Sequence, residues 1–161
     1  MSVNPYASPP TAVGGMAKRA VAPALWNPNA AASWSLLFTP AFGAFIHMKN
    51  WQTLGEPSKA ASAKTWAVFS LVASVSLGLL GVFLTGSKGL GGASIGLPLI
   101  ILIAWYFGSG QAQAQYVKER YGTSYPRRDW TTPLLIGFGL YLGYSLVFLA
   151  LTFLIVILVR T

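Results

Sequence analysis

The 161-residue chain has no cysteine, three acidic residues (Glu56, Glu119 and Asp129) and one histidine, His47. Each scarcity closes a class of function. Without cysteine there is no disulfide framework and no thiolate chemistry. Three scattered carboxylates and one imidazole are too few for a carboxylate pair, a triad or a metal cluster, so no catalytic, cofactor-binding or metal-binding residue is expected. Charged residues make up 9% of the chain, against roughly a quarter in an ordinary soluble domain. The net charge of +8 is the only feature pointing toward nucleic acid, and charge alone supports no such partner.

What is abundant is apolar surface, with 54% of residues hydrophobic. Three runs carry no charged side chain: Thr65 to Ser87, Gly89 to Val117 and Thr131 to Val159. A hydrocarbon layer about 30 Å thick needs about 20 apolar residues at about 1.5 Å each, so every run can supply a span. The chain is expected to be an all-α integral membrane bundle with the lipid bilayer as its first partner. Spans are expected over 65–85, 90–107 and 133–159. No charged residue lies inside them, which argues against a pump or ion-coupled carrier.

Residues 1–29 hold five of the ten prolines and no periodic apolar pattern, and read as a disordered tail that is kept in the mature protein. Within it Asn4, Pro5 and Tyr6 form an Asn-Pro turn that presents a tyrosine, a motif that a partner could read. The membrane domain follows over 30–161. Its first segment, Ala30 to Met48, is short and contains Pro40, which removes a backbone donor inside the apolar run.

Charge placement arbitrates between two topologies. If 30–48 crosses, the better orientation leaves seven basic residues inside and Lys18, Arg19, Lys88 and Arg160 outside. If it enters and leaves on one side, only Lys88 and Arg160 remain outside. The positive-inside rule favours this re-entrant hairpin, with a fourth span as the alternative. The tryptophans, Trp26, Trp34, Trp51, Trp66, Trp105 and Trp130, all fall near expected span ends, where an indole suits the headgroup layer.

Small residues mark helix-packing faces: Ser70, Ser74 and Gly78 in the first span, Gly92 and Gly96 in the second, Gly139 and Gly143 in the third. Such residues let backbones approach closely in lipid. They fit packing within one monomer, or association with another membrane protein or a second copy. Arg127 and Arg128, in "YPRRDW", fit a lipid-headgroup anchor as well as a plain orientation signal. Thr132 is expected to cap the last span, with Pro133 at its first helical position.

The pattern Phe38-x-Pro40-x-x-Gly43, then Asn50-Trp51 and Leu54-Gly55-x-Pro57, resembles a loose group of small uncharacterised bacterial inner-membrane proteins. "QYVKERYG" and "YPRRDWTTPL" are similar to that group's connection before its last span. The resemblance covers residues 26–135 and implies a multi-pass protein of the bacterial inner membrane. It also implies a structural corner at Asn50, Trp51, Leu54 and Gly55, and carries no activity. The residues suit a non-enzymatic adaptor or accessory subunit. The alternatives are an immunity-type protein against a membrane-acting toxin and, third, a small channel or carrier.

Overall fold

The structure is a computed structural model that describes residues 21–83 and 93–160. The regular elements of the described part are all helical, with six α-helices: α1 (Pro28–Phe38), α2 (Pro40–Thr53), α3 (Pro57–Phe83), α4 (Ala93–Trp105), α5 (Gln111–Tyr121) and α6 (Thr131–Arg160). A π-helical turn, Tyr106–Gly110, joins α4 to α5 without a break in the helical path. Two helices are long and apolar enough to cross a membrane, α3 over Pro57–Val82 and α6 over Thr131–Leu158.

Local chemistry explains most of the helix ends. Asn27 caps α1, its side chain accepting from the Asn29 and Ala30 amides, and Pro28 fills the first helical position, where its missing N–H costs nothing. The Asn-Pro pair lay within the stretch assigned to the disordered tail, yet the order begins before residue 30. Leu25 is fully buried, and its backbone pairs with Pro126 and Arg128. Asn4, Pro5 and Tyr6 lie outside the described residues.

α1 and α2 fold back on each other. The turn between them is Thr39, the one non-glycine residue with positive φ among those described, at 126°. Proline at 40 pushes its predecessor toward extended backbone, and the extended ψ of 159° at Thr39 breaks the helix there. Gly43 allows the pair to close: a Cβ there would strike the Ser35 hydroxyl, the Trp105 ring at 2.6 Å and the Ala31 carbonyl at 3.0 Å. Phe42 and Phe138 pack on Phe38 in tilted and edge-to-face arrangements, with ring centroids 4.9 and 5.0 Å from it.

The corner after α2 is a Schellman motif. The Glu56 amide donates to the Trp51 carbonyl and the Gly55 amide to Gln52, while Gly55 takes φ +73° and Pro57 starts the next helix. Trp51 is a core residue, packed with Met48, Ala60 and Ala63 and lined by Leu54 and Tyr116. Gly122, also at φ +73°, ends α5. α6 begins at Thr131, one residue before the expected cap: the Asp129 carboxylate accepts from the Thr131 amide, and Trp130 supplies the first acceptor carbonyl.

Candidate functional site: a hydrogen-bonded polar layer

The end of the molecule formed by residues 25–28, the α2–α3 corner, α5 and the α5–α6 connection gathers most of the polar side chains that find partners. Asn50 is its hub. The Asn50 Oδ1 accepts from the Trp26 amide at 3.1 Å, and its Nδ2 donates to the Trp26 carbonyl at 2.8 Å and to Gln113 Oε1 at 3.1 Å. Gln113 Nε2 in turn donates to the His47 carbonyl at 2.8 Å. Both amide side chains are fully buried, and their bonds match donor to acceptor throughout.

His47 is buried beside them. Its Nε2 lies 3.1 Å from the Pro28 carbonyl, which can only accept, so the ring is the Nε2–H tautomer and Nδ1 is a bare acceptor. Burial pushes its pKa down to about 4, against a smaller opposing effect of the Pro28 hydrogen bond. The imidazole packs on Trp105 at 5.2 Å between centroids.

A second cluster lies at the rim. Tyr116 donates to Glu56 Oε1 at 2.8 Å and accepts from Arg120 at 2.9 Å, and Lys59 pairs with Glu56 at 3.3 Å while lying over the Tyr116 and Trp51 rings. The Tyr116 hydrogen bond, followed by that of Lys59, holds the Glu56 carboxyl below its ordinary range. Arg128 stacks over Trp26 at 4.7 Å and reaches Thr53 Oγ1 at 3.4 Å, so it is a bracing residue of the layer. Arg127 is exposed, its guanidinium 5.8 Å from the Tyr125 ring centre.

The residues singled out in the sequence fall into three groups. Asn50, Trp51, Leu54 and Gly55 meet at the corner. Ser70, Ser74 and Gly78 lie along α3: Ser70 is fully buried, Tyr144 donates to the Ser74 carbonyl at 3.1 Å, and a Cβ on Gly78 would strike Tyr144 and Phe148 of α6. Gly96, Gly139 and Gly143 instead have open space within 4 Å among the described residues, and the close approach on α6 is at Gly137, against Phe38 and Phe42. Gly92 lies outside the described residues. Trp51 and Trp105, expected in the headgroup layer, are 3% and 0% exposed, because the polar layer supplies rings and small side chains that enclose them.

Gln113 is the residue of the layer that the sequence did not single out, and the burial of His47 and Trp105 was not foreseen. The available signal was a glutamine inside a charge-free run. Among the described residues no group of three or more His, Cys, Asp or Glu side chains could hold a metal ion. The rim cluster sets one carboxylate, Glu56, against a hydroxyl and two cations, and His47 is buried and neutral beside it, an arrangement that braces the layer. Compared with known protein families, with curated proteins and with solved structures, the chain matches none.

Proposed function

We propose that the chain is a multi-pass protein of the bacterial inner membrane acting as a non-enzymatic adaptor or accessory subunit. In this reading α3, α4 with its π-turn, and α6 cross the bilayer, and the α1–α2 hairpin enters and leaves on one face. Helix length supports the hairpin: α1 has 11 residues and α2 has 14, about 16 and 21 Å of rise, each well short of a 30 Å core. Trp26, at the start of the hairpin, bonds to Asn50, near its end, which supports a return to the same side. α4 alone, at 13 residues, is also short, but the π-turn of 5 extends it to about 27 Å, near the lower limit for a spanning helix. Lys59, Arg120, Arg127 and Arg128 then share the polar layer, which the positive-inside rule assigns to the cytoplasm.

The observation that carries the adaptor reading is the outward face of α6. Gly137, Tyr144 and Phe148 lie on its inner side. At 3.6 residues per turn, Gly139, Gly143, Leu146 and Ala150 lie opposite, all exposed. Two glycines four apart beside exposed leucines suit close packing of another transmembrane helix. A photoreactive residue at Gly143 should crosslink in native membranes to a distinct membrane protein, and one at Phe148 should not; self-crosslinks and lipid alone would sink the adaptor. Cysteines placed at Lys59 and Arg127 should label from the cytoplasm and one at Lys88 from the opposite side. Labelling of Lys88 together with Arg127 would overturn the topology.

A further inference from the structure

Two hollows lie end to end along the α1 side of α4 and α5. The first, of about 450 Å³, is walled by Ala32, Leu36, Leu99, Leu102, Ile103 and Phe107. The second, of about 300 Å³, is lined at the polar layer by Lys118, Arg127, Gln111, Gln115, Asn27 and Tyr125. Asn29 and Tyr106 line both, so the apolar hollow adjoins the polar one. Tyr106 is the first residue of the π-turn, a kind of helix irregularity that concentrates at functional sites.

The order of chemistry along this channel is that of an anionic amphiphile. Leucine, isoleucine and phenylalanine side chains line the hollow between α1 and α4, and two cations stand at its polar end, which the topology proposed above puts at the headgroup level. The one ion pair among the described residues is Lys59 with Glu56, so neither Lys118 nor Arg127 is neutralised by a carboxylate there. Gln111, Gln115 and Asn27 add neutral amides that can donate to phosphate oxygens. Arg128, by contrast, is committed to Trp26 and Thr53 and leaves the phosphate to its neighbour.

We propose that the two hollows form one site for an anionic phospholipid, with the phosphate between Lys118 and Arg127 and an acyl chain in the groove between α1 and α4. The site rests on the membrane reading above only in that a bilayer supplies the ligand. It differs from a general basic surface in requiring both the cations and the groove.

The test is native mass spectrometry of the full-length protein, purified in mild detergent and offered phosphatidylglycerol and phosphatidylcholine in equal amounts. The parent should retain phosphatidylglycerol preferentially. K118Q/R127Q should lower that retention about thirtyfold, at roughly 1 kcal/mol per cation, and leave phosphatidylcholine unchanged. A32W, which fills the groove, should lower it with both cations in place. If A32W does not fold, S33W, at an exposed position on the same groove, replaces it. Equal retention of the two lipids by the parent, or undiminished phosphatidylglycerol on K118Q/R127Q or on the groove variant, would overturn the site. Glycerol phosphate competing as well as the lipid would overturn it too, since a free phosphate would then suffice. Cysteine labelling at Arg127 reports orientation independently, so failure of the lipid site and failure of the topology are separately visible.

Discussion

At the polar end, side-chain hydrogen bonds join residues 24 and 66 positions apart, from Trp26 to Asn50 and from Gln113 to His47. On the other side of the molecule α6 meets its neighbours through a few aromatic rings, one tyrosine hydroxyl on Ser74 and close approaches at Gly78 and Gly137. If α6 crosses a bilayer, as its length and composition allow, the contrast follows from the solvent. In lipid, apolar faces gain nothing by leaving an equally apolar surrounding, so helices there are held by close packing and occasional polar bonds. Buried amides have no such freedom: each must find a specific partner or lose about 1–3 kcal/mol. Uniqueness of the fold is therefore concentrated where polar groups converge, and the apolar helices are left with free faces for lipid or partners.

Four substitutions or conditions should break or sharpen this contrast. The largest effect is expected from Asn50→Leu, which strands Gln113 Oε1 and both backbone groups of Trp26, at a cost on the order of 4 kcal/mol. Thermal unfolding in detergent would show it as a large drop, and Asn50→Leu/Gln113→Leu should cost less than the sum of the single variants. A drop of the size seen for an exposed α6 leucine would refute the hub.

Acid comes next. His47 sits at the polar end of the hairpin with its pKa lowered to about 4 from 6.5. The unfolded chain thus binds a proton that the folded chain refuses between those values. Stability is full above about pH 6.5 and is lost as pH falls toward 4, by about 3 kcal/mol at most. His47→Gln should flatten that part of the pH profile, whereas an unchanged slope would show that His47 is solvated.

Smaller still, Gly43→Ala should cost about 1–3 kcal/mol by forcing apart Ser35, Trp105 and the Ala31 carbonyl. Gly139→Leu, on the open side of α6, is the matched control and should leave monomer melting unchanged. Equal melting of the two variants would erase the distinction between packed and open glycines. The smallest effect is a gain: Thr39→Gly relieves a backbone conformation normally reserved for glycine and should stabilise by about 1 kcal/mol, read as a higher melting temperature.

The long apolar helices and the start of the last one near Thr132 were legible in the sequence, because length and local capping chemistry suffice for them. The partners of Asn50 were not, since nothing local links it to Gln113, 63 positions away. Nor was the burial of Trp105 readable: a helix apolar all round has no preferred face, so its composition does not say which side meets protein. The inward and outward glycines of α6 were indistinguishable for the same reason, Gly137 and Gly139 differing only in the face, about 200° apart, on which they fall.

The π-turn at Tyr106–Gly110 has an arithmetical consequence. In an uninterrupted α-helix, residues seven apart return to one face, while residues eight apart fall about 80° out of step. Trp105 and Gln113 are eight apart, yet both are fully buried and both face the His47 region. The wide turn absorbs one residue, so the count from 105 to 113 behaves as seven. What aligns the indole with the amide is thus a tally of chain links and no particular side chain. Replacements within Tyr106–Gly110 that keep the tally preserve the alignment, and deleting one residue should preserve it too by turning the wide turn into ordinary α-helix with seven links, whereas inserting one would swing the amide away from Asn50.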